Sequence, residues 1–171
     1  REIASFLSHS ASPKDIILAD YAYETFSEYL TNAPCPIRQV ATTFDGRDVT
    51  IARIQGYETR HPAVWSVFVG GWMRWSDSPV PKWMDTHAIS LPFWSYGDQM
   101  HYWSKEASAV CTSAAVRVSQ ERKLVENIVN SVPYHYLAWK RLAELCILES
   151  DTVAARRCLA HMMRMKPVDP Y

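Results

Sequence analysis

The amino-acid sequence predicts an α+β fold, in which a small α/β unit precedes a C-terminal array of helices. Three observations support this class. Residues 1–60 alternate between strand-like runs and a helical stripe, residues 61–104 are rich in aromatic side chains, and residues 105–171 have helical periodicity throughout. We take these three segments as the predicted units of the chain.

The composition excludes several classes of protein. The chain is 48% hydrophobic and only 21% charged, which excludes an intrinsically disordered protein. Eighteen basic residues balance eighteen acidic ones, so no global charge favours a nucleic-acid partner or an anionic membrane. The longest apolar run, Ala63 to Met73, is too short to cross a bilayer, and we predict no membrane span.

The N-terminal unit begins with a predicted short helix at residues 2–7. The apolar run at residues 15–20 is bounded by Asp15 and Asp20, a pattern typical of a buried strand. Residues 21–30 follow as a predicted helix, because their large apolar side chains recur every three or four positions.

A hairpin is predicted around Asp45-Gly46, with strands at residues 38–44 and 49–54. Glycine supplies the positive φ that a tight hairpin turn requires. In the second strand, Val49 and Ile51 alternate with polar residues.

The middle of the chain holds six of its seven tryptophans. We predict a buried helix at residues 63–75, a loop at 76–86 and a further helix that starts near Tyr96. The tryptophans of this region could stack on sugar rings. Trp75, Trp83 and Trp94 are therefore a possible carbohydrate or partner surface, although a buried core explains them more simply.

The remaining chain is predicted to be helical, with breaks near residues 118 and 132 and at residue 150. Pro133 marks the start of one helix and Asp151 is the predicted N-cap of the last. The predicted helices lie near residues 98–117, 120–131, 135–148 and 151–165.

The last two predicted helices resemble a tetratricopeptide repeat, whose pattern places Trp, Leu, Gly and Tyr on the first helix and Ala, Phe and Pro later over 34 residues. Pro133 and Pro167 are separated by one such period. Gly, Tyr and Phe of the pattern are replaced by Ala143, Cys146 and Leu159. The residues at the pattern positions are Trp139, Leu142, Ala143, Cys146, Ala155, Leu159 and Pro167.

The resemblance implies that a small Ala155 lets the two helices approach, while Leu159 and Met162 fill the groove between them. It also implies a non-catalytic docking role, in which polar residues of the first helix bind a protein or peptide. The candidate contacts are Tyr136, Lys140, Arg141 and Glu144.

A second resemblance covers about half of the chain. Asp85-Thr86-x-Ala88, the aromatic stretch from Phe93 to Tyr102 and the block from Val132 to Pro167 are similar to the C-terminal tail of bacterial protein O-oligosaccharyltransferases. Those membrane enzymes belong to the wider class of O-antigen ligases. The resemblance implies an accessory domain outside the cytoplasm, in the periplasm, with the catalytic residues elsewhere and a possible glycan ligand. Without it, a cytoplasmic location is expected.

A third alternative is a small α/β enzyme centred on Asp20. This residue follows the first predicted strand, and open α/β sheets bind ligands at the carboxyl ends of their strands. Capping of the following helix by Asp20 is the simpler explanation.

Histidine and cysteine complete the set of candidate groups. Cys158-x-x-His161 with Cys146 has no evident fourth ligand, so we predict no metal and no cofactor. Buried free thiols are expected on the helices, and His87, His101 and His135 are expected to be satisfied by local hydrogen bonds. The chain contains no GxSxG motif.

Overall fold

The computed structural model describes residues 2–19, 27–40, 46–68, 79–93, 99–105 and 113–165. These residues form an α+β fold with one mixed sheet and a group of helices at the C-terminal end, as the sequence predicted. The strands are β1 (Ile16–Ala19), β2 (Ile37–Gln39), β3 (Ala63–Phe68), β4 (Ile89–Leu91) and β5 (Gln99–Ser104). The helices are α1 (Glu2–Ser10), α2 (Arg47–Arg60), α3 (Pro79–His87), α4 (Ala114–Ser131), α5 (Tyr136–Leu148) and α6 (Thr152–Arg164).

The sheet has the strand order β2-β1-β3-β5-β4. Strand β1 is parallel to both β2 and β3, whereas β5 is antiparallel to β3 and β4. Strands from residues 16–39 and from residues 63–104 therefore share one sheet. Strand β4 lies at one edge of it.

The sheet is covered on both faces, which explains why β1 and β3 are buried along their whole length and are apolar except for Ser66 of β3. On one face, Ile17 and Trp65 join a core with α1 and the C-terminal helices. On the other, Leu18 and Val64 pack against Ile54 of α2 and against α3.

Helix α2 occupies the segment predicted as the second strand of the hairpin, residues 49–54, and the prediction of that strand is wrong. Asp45 of the predicted turn lies outside the described residues. Gly46 has an extended backbone and is the N-cap of the helix. The buried stripe runs through Thr50, Ile54 and Glu58 at helical spacing, while Val49 is exposed. Because two members of the stripe are polar, the hydrophobic pattern suggested a strand.

The predicted helix at 63–75 is also wrong where the structure describes it, since residues 63–68 form β3. A short, continuous apolar run suits a buried strand and a buried helix equally, and pairing on both sides of β3 decides for the strand. Residues 69–75 lie outside the described part.

Two further predictions fail in the region that follows. The predicted loop at 76–86 contains α3, which begins at Pro79, where proline is compatible with a first helical turn. The predicted helix at 98–117 contains β5, and α4 begins only at Ala114. In β5, Met100 and His101 point to opposite faces, so an alternating pattern was mistaken for a helical one.

The predictions at the two ends of the described chain are confirmed. Helix α1 and strand β1 lie at the expected positions, and α5 and α6 agree with the predicted helices to within one residue. The β2 strand covers the start of the predicted strand at 38–44. Residues 27–29 are helical, while residues 21–26 of the predicted helix at 21–30 are outside the described part.

Side-chain caps define the starts of the three C-terminal helices. Ser113, His135 and Asp151 accept hydrogen bonds from the backbone N–H groups of Val116, Ala138 and Ala154. Asp151 was predicted in this role. Short connections between the helices place α4 and α6 beside α5.

Arg122 of α4 forms hydrogen bonds that link the three C-terminal helices. Its guanidinium donates to Glu126 of α4, to Glu149 after α5 and to Asp151 before α6 at distances of 2.7–2.9 Å. These three hydrogen bonds raise the pKa of Arg122. The turn between α5 and α6 is thus fixed against the middle of α4.

No helix among the described residues is both long enough and apolar enough to span a membrane.

Candidate functional site

A cleft of about 310 Å³ lies between the β4 end of the sheet and helix α5. Ser90 and Leu91 both line it, although neighbouring strand residues point to opposite faces. The cleft therefore lies at the margin of the sheet rather than over one face. Its lining comprises Asp85, Ser90, Leu91, Pro92, Phe93, Met100, His101, Leu137, Lys140, Arg141 and Glu144.

The helical wall of the cleft contains three of the four predicted partner contacts. Leu137, Lys140, Arg141 and Glu144 are spaced by three or four residues, so they share one face of α5. The opposite face carries the buried residues Ala138, Leu142 and Cys146. The amphipathic pattern of α5 thus directs these polar side chains into the cleft.

Arg141 is held by two carboxylates. Its Nε and Nη2 donate to both carboxylate oxygens of Glu121 on α4 at 2.6 and 3.0 Å, and Nη1 donates to Glu144 at 3.0 Å. These contacts raise the pKa of Arg141, with Glu121 as the main cause. Lys140 also lines the cleft and is exposed. Its ammonium forms no ion pair with a described residue, whereas the guanidinium of Arg141 is paired.

The opposite wall is organised around Asp85, at the end of α3. Its Oδ1 accepts from Ser90 Oγ at 2.6 Å and lies 3.0 Å from His101 Nε2. Arg117 of α4 donates to the carbonyl oxygens of Asp85 and Ala88, which fixes the end of α3 against α4. The Asp85 side chain itself is 54% exposed and faces solvent.

His101 is buried, and burial lowers its pKa although Asp85 acts in the opposite direction. A neutral imidazole that donates from Nε2 to Asp85 agrees with this direction. Its Nδ1 is buried and has no hydrogen-bond partner among the described residues. Ser66, which pairs with His101 across β3 and β5, likewise has a buried Oγ without such a partner.

Ser90, His101 and Asp85 do not form a nucleophilic triad. In such a triad the histidine accepts the proton of the serine. Here Ser90 donates to the carboxylate instead, and the carboxylate stands between the other two residues. The arrangement orders acceptors at the wall of the cleft and does not activate Ser90.

Phe93 closes the cleft near the start of α5. Its ring lies edge-on to His135 at a centroid distance of 5.3 Å. His135 Nδ1 accepts from Ala138 N, so this nitrogen carries no proton, and burial lowers the pKa of His135. The cleft is apolar at the end nearest Phe93, where Leu91, Met100 and Leu137 line its floor.

The other predicted site residues are dispersed. Tyr136 is exposed on α5 but does not line the cleft. Trp83 of α3 stacks on His87 at 4.2 Å, and His87 in turn contacts both carboxylate oxygens of the buried Glu58. Trp75, Trp94 and Asp20 lie outside the described residues, although Asp20 follows the described end of β1.

Five residues of the repeat pattern belong to the core that includes α5 and α6 or pack against it: Trp139, Leu142, Ala143, Cys146 and Ala155. Trp139 stacks on His161 at 4.1 Å and donates from Nε1 to the Pro133 carbonyl oxygen at 2.7 Å. Ala155 is buried in the same core, as are Cys146 and Cys158.

The prediction for Leu159 is wrong, because its side chain is 46% exposed and Cys158 occupies the buried position instead. Met162 is partly buried, and Pro167 lies outside the described part.

Each of the three histidines forms a hydrogen bond, but only that of His135 is local in sequence, since His87 and His101 bond to the distant carboxylates of Glu58 and Asp85. The expectation that local hydrogen bonds satisfy all three is therefore confirmed for His135 alone. Cys146 and Cys158 are buried free thiols on helices, as expected, and Cys35 is a buried free thiol as well. Cys111, for which the same is expected, lies outside the described residues. Burial raises the pKa of Cys158 to about 11. Within the described ranges, no three His, Cys, Asp or Glu side chains are grouped so that they could hold a metal ion.

Sequence patterns missed Ser90 and the joining of both walls into one cleft. Asp85, Ser90 and His101 belong to a helix, a strand and a second strand, and only the β4–β5 register brings them together. The repeat register located the α5 wall because the same side chains face one side of a helix. No comparable local pattern exists for the other wall.

Comparison of the chain with models of protein families, with curated proteins and with solved structures found no match.

Proposed function

We propose that this chain is a non-catalytic docking module that binds a peptide segment of a protein partner in the cleft between β4 and α5. The observation that carries the proposal is the position of Lys140, Arg141 and Glu144. The repeat register predicts these three residues as partner contacts, and they line the same concave site.

The chemistry of the cleft suits a peptide. Its apolar floor of Leu91, Met100 and Leu137 offers a place for a side chain, and its rim offers both donors and acceptors. Lys140 can donate to a carbonyl or a carboxylate, while Asp85 and Glu144 can accept from backbone N–H groups. A polyanion is disfavoured because two carboxylates flank the single ammonium without a carboxylate partner.

Catalysis receives less support from this site. Asp85, Ser90 and His101 lack the connectivity of an activated nucleophile, as described above. Glycan binding by the tryptophans rests on the aromatic composition of residues 61–104, and a role beside a membrane glycosyltransferase rests on the sequence resemblance. Both stay predictions. The alternative enzyme centred on Asp20 also stays a prediction, because Asp20 is not described.

Selection from a random peptide library displayed on phage tests the docking function. The affinity of a selected peptide would then be measured by fluorescence anisotropy for the wild type, for Lys140→Ala and for Lys123→Ala. Lys123 is a matched control, since it is an exposed lysine on α4 that does not line the cleft.

We expect Lys140→Ala to weaken binding about tenfold or more, the effect of losing one charged hydrogen bond of about 1.5–3 kcal/mol. Lys123→Ala should change the affinity less than twofold. The proposal would be overturned if no peptide were enriched over an empty support, or if both variants bound as tightly as the wild type.

A further inference from the structure

Helix α6 presents a basic and partly apolar surface that the docking cleft does not use. Arg156, Arg157 and Arg164 are exposed, and none of them forms an ion pair with a described residue. The helix from Thr152 to Arg164 contains no acidic residue. A local charge of three therefore stands on one helix of a chain whose formal net charge is zero.

Apolar side chains protrude between these arginines. Met163 is 87% exposed, Val153 is 60% exposed and Leu159 is 46% exposed. The inward face of the helix is already filled, because Ala155 and Cys158 pack into the core with α5. The outer face thus has apolar groups that the described part of the fold does not cover.

The nearest acidic groups do not neutralise this surface. Glu149 and Asp151 stand before the helix, and both accept hydrogen bonds from Arg122. Arg157 does influence Asp151, whose pKa is lowered by the Ala154 N–H, by Arg122 and more weakly by Arg157. Arg156 directly precedes Arg157, and Arg164 lies about two turns farther along the helix.

We propose that the outer face of α6 binds the surface of an anionic lipid bilayer. Arginine side chains attract anionic headgroups, and protruding apolar side chains enter the boundary between headgroups and acyl chains. The helix would lie on the membrane and not cross it.

The shape of the surface favours a bilayer over a folded protein or a peptide. The cleft beside β4, a cavity beside α1 and a groove at the start of α4 are all lined by residues outside α6. Arginines scattered among protruding apolar groups on one helix face offer little shape complementarity to a rigid partner. A fluid lipid surface adapts to them and needs only opposite charge.

Sedimentation with lipid vesicles tests this inference on the full chain. The probes are vesicles of phosphatidylcholine alone and vesicles that also contain one third phosphatidylglycerol. The test variant is Arg156→Ala/Arg157→Ala/Arg164→Ala. The control variant is Lys14→Ala/Arg47→Ala/Lys123→Ala, which removes the same number of charges from exposed positions outside α6.

We expect the wild type to bind the anionic vesicles, and pure phosphatidylcholine at least tenfold more weakly. Each arginine near a membrane surface contributes about a factor of five, so the α6 triple variant should bind at least tenfold more weakly than the wild type. The control triple variant should stay within about threefold. Met163→Ser should weaken binding severalfold while leaving every charge in place.

Several results would overturn the inference. One is wild-type binding that does not distinguish the two vesicle types. Another is an equal loss in the two triple variants, which would assign binding to overall charge. A third is binding to poly-glutamate without binding to vesicles, which would identify an acidic polypeptide as the partner. Far-UV circular dichroism of each variant shows whether the fold is retained, and these exposed positions make that outcome expected.

Discussion

Arg141 on α5 and Glu121 on α4 form a bidentate ion pair, with Nε and Nη2 at 2.6 and 3.0 Å from the two carboxylate oxygens. Glu121 is buried, whereas Arg141 is only half-buried at the rim of the cleft. The pair therefore joins two helices and at the same time fixes one wall of the docking cleft. Arg141 is expected to position that wall, with Lys140 as the group that contacts the partner.

Replacing Arg141 by Met should destabilise the fold by about 1–3 kcal/mol, because the buried carboxylate of Glu121 loses its donors. The double variant Glu121→Gln/Arg141→Met should lose less than the sum of the two single changes, since the uncompensated charge is then absent. Urea unfolding of the four proteins measures this coupling. Additive losses would show that the two residues do not stabilise each other.

Stability should fall as the pH is lowered from about 7 to 5. Burial lowers the pKa of His101 and of His135 in the folded state, while both titrate near 6.5 in the unfolded chain. Above that value both states are neutral and these residues contribute no pH dependence. Below it the unfolded state binds protons that the folded state resists, so the free energy of unfolding decreases until the folded pKa values are passed.

Urea unfolding at pH 7.5, 6.0 and 5.0 checks this dependence. Protonation of His135 at Nδ1 would also remove the cap on Ala138 N, and asparagine can cap a helix without titrating. His135→Asn should therefore make the pH profile shallower than that of the wild type. A wild-type stability that is constant or rises between pH 7.5 and 5.0 would refute the assignment.

The Trp139 side chain should stabilise the contact of α5 with α6. Trp139→Phe removes the indole N–H that donates to the Pro133 carbonyl oxygen, and it reduces the stacking on His161. We expect a loss of about 1–2 kcal/mol and a decrease in Tm of about 2–8 °C. His161→Ala removes the stacking and the 3.4 Å contact of its Nε2 with the same carbonyl oxygen, and it should cost less because the 2.7 Å hydrogen bond of the indole stays. Equal Tm values for Trp139→Phe and the wild type would contradict the described contact.

Removing one partner of the His87–Glu58 contact should destabilise the fold more than removing both. Glu58 is buried on α2 and both of its oxygens lie within 3.0 Å of His87 Nε2 on α3. His87→Ala leaves a buried carboxylate without this partner, and we expect a loss of about 1–3 kcal/mol. Glu58→Gln/His87→Ala should recover part of that loss in thermal unfolding. A double variant that is no more stable than His87→Ala alone would exclude this explanation.

Local sequence patterns correctly predicted the elements in which the buried residues are the hydrophobic ones. Strand β1 is a short apolar run with acidic ends, and α5 and α6 have caps and helical stripes that can be recognised one residue at a time. The predicted α5 face became one wall of the cleft for the same reason. These elements depend little on distant parts of the chain.

The wrong predictions concern elements whose structure depends on contacts with distant parts of the chain. Helix α2 buries Thr50 and Glu58, and Glu58 is tolerated there because His87 comes from another helix. Strand β3 is apolar on both sides because helices cover both faces of the sheet, a fact that no local window contains. The Asp85 wall is assembled by strand register. Leu159 was assigned to the core from its repeat position, whereas the actual packing of α6 on α5 buries Cys158.

The most direct test of the docking function is site-specific photocrosslinking of a selected peptide. A benzophenone amino acid would replace Leu137, which lines the cleft, or Leu148, which is exposed beside a different groove at the end of α5. We predict that the peptide crosslinks at position 137 and not at position 148, and that excess unlabelled peptide suppresses the product. Crosslinking at position 148 alone, or equally at both positions, would contradict the assignment of the cleft as the binding site.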